Sequence, residues 1–217
     1  MPRINYQLEL DNLIDTFIKE GRVPSLLLHS CCGPCSSYCI EYLSMYFNIT
    51  VFYYNPNIYP DDEYYHRVKE QQRFINEFPV KHPVSFIEGD YDKDSFYSIA
   101  KGLENEPEKG LRCLKCYDLR LRRAATVAKE KGFDFFATTL TISPMKDSQV
   151  LNEIGFKIAD ELGVNWLPSD FKKRNGYKRS TELSREYDMY RQDYCGCVFS
   201  FRERQIQKEN ATVNAVK

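Results

Sequence analysis

Short apolar segments alternate with longer amphipathic segments along most of this chain, and this alternation most limits its possible folds. The apolar segments that have the length of buried strands are SLLLHS, NITVFYYNPN, VSFIEGDY, FDFFATTLT and the shorter VNWLP. Helical periodicity predicts the connecting helices at 5–20, 34–47, 61–78, 94–103, 114–132 and 147–163. Helices between successive strands exclude tight hairpins. The sequence therefore predicts an α/β fold, a parallel sheet with helices on both faces.

No repeat, low-complexity segment or shift in composition divides the chain. Its 217 residues are enough for one substantial hydrophobic core. We predict a single α/β domain over residues 1–203 that carries any functional site. Residues 204–217 are polar, and we expect them to form a frayed C-terminal tail.

The N-terminal segment bears on the compartment in which the protein works. MPRINYQLELDNLIDTFIKEG carries charges throughout and lacks the apolar core and cleavage site of a signal peptide. No stretch of the sequence is apolar over the length of a membrane-spanning helix. We therefore expect a cytoplasmic protein. In that reducing compartment, eight cysteines indicate metal binding or redox chemistry rather than a disulfide framework.

The eight cysteines fall into three groups. The first group is Cys31, Cys32, Cys35 and Cys39, the second is Cys113 and Cys116, and the third is Cys195 and Cys197. The first group directly follows the first predicted strand, and the segments NPNIYP, GDYD and TTLTISPMKD follow the next three. Ligands of such sheets bind beyond the carboxyl ends of the strands. Several candidate chemical groups are thus predicted on one edge of the sheet.

Four thiolates are the usual ligands of an iron–sulfur cluster or a structural zinc ion. Cys113 and Cys116 are spaced i, i+3 near a predicted helix start, so both sulfur atoms face one way and the helix N-terminus stabilises their thiolates. A second pair must come from elsewhere. Cys31 and Cys32 are adjacent, unlike the C-x₂₋₄-C spacing of most zinc sites. This adjacency favours an iron–sulfur cluster, with zinc as the alternative.

Cys195 and Cys197 flank a single glycine in DYCGCVFS. Two cysteines this close can close a small, strained disulfide that is readily reduced, which makes them a candidate electron carrier. The alternatives are two more metal ligands or two buried apolar side chains.

Other residues are weaker candidates. Cys35 lies one helical turn after Cys32 and is a candidate metal ligand, whereas Cys39 is expected in the core. Asp90, at a strand end on the same edge, is a candidate proton donor, although carboxylates often cap loops there. His29 is either a proton donor or a hydrogen-bonded strand-end histidine.

The net charge of −1 is unevenly distributed. Residues 1–110 contain 10 basic and 17 acidic side chains, a charge of −7, and residues 111–217 contain 20 basic and 14 acidic ones, a charge of +6. The basic half includes LRCLKCYDLRLRR and FKKRNGYKR. These segments are either an RNA-docking surface or solvated helix and loop surfaces.

Six segments, several of them discussed above, form a specific set when they are taken in order. They are LLLHSCCGPCSS, FYYNPNIYP, EYYHRVKEQ, GLRCLKCYDLRL, FATTLTISPMKD and YCGCVFS. As an ordered set they resemble the QueH family of epoxyqueuosine reductases, from about residue 5 to residue 203. The resemblance implies a PP-loop or HUP-like layout (adenine nucleotide alpha hydrolase-like). HSCCGPCSS stands in place of the SGGxDS-type phosphate loop of PP-loop ATPases, which argues against ATP use.

The same resemblance implies the activity. The family reduces epoxyqueuosine to queuosine at the wobble position of tRNA, the last step of queuosine biosynthesis. By similarity, a [4Fe-4S] cluster is held by Cys31, Cys32, Cys113 and Cys116. Cys195 and Cys197 are then the redox-active pair, and Cys35 is placed to bind one additional iron. Asp90 or His29 supplies a proton, the basic segments hold the anticodon arm, an external donor supplies electrons, and no membrane or cobalamin is needed.

Two rival functions remain open. A zinc-stabilised tRNA-binding or tRNA-thiolating protein would use the same cysteines without redox chemistry. A disulfide reductase of small thiols would carry a cluster near a CCG motif, but such enzymes usually contain that motif twice, and this chain contains it once.

Overall fold

The computed structural model describes residues 3–215, and a five-stranded sheet lies at its centre. The strands are β1 (Ser25–His29), β2 (Asn48–Tyr53), β3 (Val84–Glu88), β4 (Phe135–Thr138) and β5 (Asn165–Trp166). They lie in the order β3-β2-β1-β4-β5, and each neighbouring pair is parallel. The predicted α/β class is confirmed, and the strand order is compatible with a PP-loop or HUP-like layout.

Eight α-helices surround this sheet within residues 3–215. They are α1 (Tyr6–Lys19), α2 (Gly33–Leu43), α3 (Asp61–Glu77), α4 (Lys93–Ala100), α5 (Leu111–Lys131), α6 (Ser148–Leu162), α7 (Gly176–Glu186) and α8 (Val198–Ala215). A short 3-10 helix, Thr139–Ile142, follows β4. Over the same range, no helix combines the length and the apolar composition that a bilayer-spanning segment requires.

The central strand β1 is buried on both faces, which explains its continuous apolar sequence. Leu26 and Leu28 point to one face and pack with residues of α1 and α2, whereas Leu27 points to the other and packs with α5 and α6. All three leucines are fully buried. This alternation is the period of two of a β-strand, and each face has its own helical layer.

The chain reverses its direction across the sheet beside β1. It runs from β1 through β2 to β3 on one side, and then crosses to β4 and β5 on the other. β1 and β4 are neighbours whose following segments leave in opposite directions, which opens a crevice beyond their carboxyl ends. The first cysteine group follows β1 directly, so the fold places it in this crevice.

Two helices, α7 and α8, were not predicted from the sequence. α7 begins within the basic segment FKKRNGYKR and packs against α2, where Arg179 forms a 2.7 Å ion pair with Glu41. α8 extends over most of the segment expected to be a frayed tail, and residues 216–217 lie outside the described range. α8 lacks the apolar stripe by which sequence periodicity identifies a helix.

Candidate metal and redox site

Three cysteines of the first group come together where β1 ends. The sulfur atoms of Cys31, Cys32 and Cys35 all lie within 4.8 Å of one another, and those of Cys31 and Cys32 are 3.9 Å apart. Cys32 is the N-cap of α2 in an extended conformation, and Cys35 lies in the first turn, just after Pro34. The tight connection between β1 and α2 thus brings Cys31 and Cys32, which follow the strand, close to Cys35 in the first helical turn. Three thiols at this separation could bind a metal.

The second cysteine group lies at the start of α5, as its C-x-x-C spacing predicts. The sulfur of Cys113 accepts a hydrogen bond from the backbone N–H of Lys109 at 3.3 Å, and Cys116 is buried. α2 and α5 both begin at the carboxyl edge of the sheet, so the positive ends of two helix dipoles lie near thiols. Among the described residues, neither Cys113 nor Cys116 belongs to the close group of three thiols.

The third cysteine group directly precedes α8 and adjoins the second. Cys197 is buried and packs in one apolar cluster with Cys116. Gly196 has φ of 130°, a conformation that is essentially limited to glycine. A Cβ atom at this position would lie 3.3 Å from Nη1 of Arg67. The third group is therefore held against both the second group and a buried guanidinium.

Two cations connect the cysteine groups electrostatically. Burial lowers the pKa of Arg120, but attraction to the sulfur atoms of Cys116 and Cys31 more than reverses this and raises it above the ordinary value. The pKa of Lys146 is likewise lowered by burial and raised, to a greater extent, by sulfur atoms that include those of Cys195 and Cys31. Each cation lies near sulfur atoms of more than one group. All three cysteine groups therefore lie within electrostatic reach of these two cations.

The thiols differ strongly in acidity. The pKa of Cys31 lies well below its usual range because the thiols of Cys32 and Cys35 donate hydrogen bonds to its sulfur. The thiol of Cys32, whose proton is held by Cys31, has its pKa raised to about 12, and burial raises that of Cys116 to about 12. A metal would ionise the protonated thiols by binding them.

Unpaired donors around these cysteines test whether a charged cofactor fits. Nε of Arg67 donates to Glu63 at 2.7 Å, but its Nη1 and Nη2 atoms have no hydrogen-bond partner within residues 3–215, although the side chain is only 1% exposed. Nε of Arg120 and Nε2 of Gln71 lack partners in the same range. A buried unpaired donor costs about 1–3 kcal/mol, and more when charged. Such donors fit a cofactor that is negative and accepts hydrogen bonds, as four thiolates around iron and sulfide would be.

Three other sequence candidates have different surroundings. His29 is fully buried, with Nε2 donating to the carbonyl of Tyr54 at 3.1 Å and Nδ1 2.8 Å from the Thr138 hydroxyl. Burial is the main reason why its pKa falls to about 3, so it is a neutral, hydrogen-bonded histidine. Cys39 is fully buried in the core, as expected. Asp90 is exposed and 3.5 Å from Arg123, and its role as proton donor stays a prediction.

Sequence reasoning missed Arg67, Arg120 and Lys146. The two arginines lie inside polar helices, where charged residues are normally read as solvent-facing. Lys146 belongs to TTLTISPMKD, a segment that its position after β4 already placed on the functional edge. The position of Lys146 after β4 was thus the only sequence feature that could have identified any of these three residues, and nothing in the sequence marked the two arginines.

The geometry agrees with comparisons to known proteins. A sequence model described as "Epoxyqueuosine reductase QueH" matches residues 26–203. Proteins of that name are similar to this chain in Streptococcus pyogenes serotype M1 (46% identity over 206 residues, 94% of this chain and 81% of the relative) and Staphylococcus epidermidis (44% over 208 residues, 94% and 87%). The Thermotoga maritima protein of that name is 34% identical over 186 residues, 83% of this chain and 92% of the relative. A match of this extent, over a chain that collects its cysteines at one sheet edge, confirms the resemblance: the chain belongs to the epoxyqueuosine reductase QueH family.

Proposed function

We propose that the protein reduces epoxyqueuosine to queuosine at the wobble position of tRNA, the last step of queuosine biosynthesis. The relatives that cover nearly the whole chain are named for this reductase activity. The observation that carries the proposal is that all three cysteine groups lie near the same buried cation, Arg120, beyond the ends of β1 and β4. A purely structural site would not need buried guanidinium groups that keep some of their nitrogens unpaired.

The proposed cofactor is a [4Fe-4S] cluster held by Cys31, Cys32, Cys113 and Cys116, with Cys35 as ligand of one additional iron. When bound, iron would polarise the epoxide C–O bond and the cluster would pass electrons. Arg67 and Arg120 would offset the negative charge of the thiolates and donate hydrogen bonds to the cofactor.

The proposed electron source is the dithiol of Cys195 and Cys197. Removing the epoxide oxygen breaks two C–O bonds, forms an alkene and releases water, which consumes two electrons and two protons. Two thiols that join as a disulfide release two electrons and two protons, so the reaction balances. An external electron donor then restores the dithiol. Asp90 is the proposed general acid that protonates the leaving epoxide oxygen.

One experiment tests this division of labour. Cys195→Ser should leave iron and sulfide content at the wild-type value after anaerobic purification but abolish turnover of epoxyqueuosine-containing tRNA, because only the dithiol is lost. Cys39→Ala is the matched control, since this core cysteine should be dispensable for both readouts. Loss of iron from Cys195→Ser would show instead that the third group binds metal.

The alternative function is a zinc-stabilised tRNA-binding or tRNA-thiolating protein. The observation in its favour is the close packing of Cys31, Cys32 and Cys35, because sulfur atoms within 4.8 Å suit a single ion. The metal assay decides between the two functions. About four iron atoms with sulfide per chain support the reductase. One zinc ion without iron supports the binding protein.

A further inference from the structure

A cavity of about 750 Å³ opens at the carboxyl edge of the sheet beside the cysteines. Its walls come from residues 3–5, from Lys109 before α5, from the segment that leads into α6, and from the segment after β5. Two of its lining residues reach the cysteine groups. The backbone N–H of Lys109 donates to the sulfur of Cys113, and the amine of Lys146 lies within electrostatic reach of sulfur atoms of the first and third groups. The cavity therefore adjoins the cysteine groups through two of its lining residues.

The cavity retains cations that no carboxylate among residues 3–215 pairs with. Its cations are Arg3, Lys109, Lys146, Lys172 and Lys173. Arg3 pairs with Asp147, and Lys172 lies 3.1 Å from Asp170. Within residues 3–215, the other three lysines form no ion pair with a carboxylate. Such a site attracts a ligand with more than one negative charge.

Most other cations of the two basic segments are already occupied. Arg122 pairs with Asp118 and Glu161, and Arg179 pairs with Glu41 and Glu186. Arg112 and Arg120 are buried, at 2% exposure each. The basic segments therefore offer less free charge to RNA than their sequences suggest. The unpaired lysines of the cavity are better placed to bind it.

The depth of the cavity residues indicates how a nucleotide would lie. Lys109 and Lys173 are exposed at the mouth, whereas Lys146 is half-buried toward the cysteines. Ile4 and Met145 line the cavity and are 51% and 50% exposed, so an apolar surface is available to a base. Cations and exposed apolar side chains on one cavity wall match the phosphates and the base of one nucleotide.

We infer that this cavity receives the wobble nucleotide after it has flipped out of the anticodon loop, with Lys109 and Lys173 contacting the phosphates on its two sides. The inference rests on the proposed function, because a base inside a stacked loop could not reach sulfur atoms below the surface. The phosphate contacts fix the position of the nucleotide, while the cysteine groups act on it.

The test measures binding of a fluorescein-labelled anticodon stem-loop RNA, with guanosine at the wobble position, to the anaerobically purified full chain over a range of salt concentrations. Losing two phosphate contacts should weaken binding by the double variant Lys109→Ala/Lys173→Ala about tenfold at low salt, and should reduce the slope of log affinity against log salt by about 1.4. Iron content, measured on the same samples, should not change.

Lys129→Ala/Lys131→Ala is the control, because these two exposed lysines lie in the last turn of α5, at the opposite edge of the sheet. The control should retain wild-type affinity and salt slope. Equal loss in both double variants, or none in the cavity variant, would overturn the inference alone. Displacement of the RNA by inorganic phosphate beyond its ionic-strength effect would also overturn it, since the cavity would then be a small-anion site. Absence of RNA binding by the wild-type protein would contradict the proposed function as well.

Discussion

The two edges of the sheet differ in how fully their polar groups are hydrogen-bonded within the protein. At the amino edge, the carboxylate of Asp134 accepts hydrogen bonds from the backbone N–H and the hydroxyl of Ser25, at 2.8 and 2.7 Å, and pairs with Arg22. At the carboxyl edge, Arg67 is more deeply buried, yet both of its terminal nitrogens lack partners in the described part of the chain. At the amino edge the protein satisfies the hydrogen bonds of Asp134 itself, whereas at the carboxyl edge Arg67 keeps two donor nitrogens free for a ligand.

This contrast distinguishes polar groups that stabilise the fold from polar groups that bind a ligand. A satisfied network such as that of Asp134 contributes to folding whether or not a cofactor is present. Buried guanidinium nitrogens without partners lower the stability of the protein alone, and they are expected at a site whose ligand accepts their hydrogen bonds. The two edges should therefore respond differently to substitution, one in stability and the other in cofactor retention.

The largest expected effect is at Arg67. Arg67→Met should lower iron retention and activity about 10- to 100-fold, the cost typical of losing a residue that hydrogen-bonds a metal site from outside its ligand shell. The measurement is iron per chain after anaerobic gel filtration, together with turnover. Arg73→Met in the same helix is the control, because Arg73 is partly exposed and its guanidinium already donates to Glu70, Glu77 and the carbonyl of Tyr187. Full iron content in Arg67→Met would show that the carboxyl edge holds its cofactor without hydrogen bonds from Arg67.

A smaller effect is expected at the amino edge. Asp134→Ala should lower the free energy of unfolding by about 1–3 kcal/mol, because the N–H of Ser25 loses its acceptor. Denaturant unfolding of the anaerobic protein measures this, and iron content should be unchanged. Asp160→Ala, an exposed position on α6, should change stability by less than about 0.5 kcal/mol. Iron loss in Asp134→Ala would mean that the two edges are coupled.

The smallest expected effect is on how the stability difference between wild type and Asp134→Ala varies with pH. Burial raises the pKa of Asp134, but hydrogen bonds from Ser25 and Arg22 outweigh it, so the folded-state pKa is depressed. A depressed carboxyl pKa stabilises the protein above the unfolded value of about 3.9, and this contribution is lost as the pH falls through the folded value. The stability gap between wild type and Asp134→Ala should therefore narrow below about pH 4. The change should stay under about 1 kcal/mol because the pair is partly exposed. A gap that is constant with pH would mean that the charge of Asp134 does not matter.

The sequence was informative where one physical pattern decided the structure. Buried parallel strands need continuous apolar segments, so β1 to β4 were recognisable, and parallel strands end at one edge, which placed Cys31 and Asp90 there. The buried state of Arg67 was not accessible, since a polar helix gives no sign of which charged residue faces inward. α8 was missed because contacts at its start, including those of Cys197, and not an apolar stripe, position it.

The three cysteine groups come from the beginning, the middle and the last part of the chain. During synthesis, a nascent polypeptide that has not yet emerged as far as Cys195 holds at most two of these groups. Assembly of the complete centre must therefore follow translation of nearly the entire domain. A product terminated before Cys195 would lack the dithiol, so under the proposed function it would keep the four cluster ligands but could not reduce its substrate.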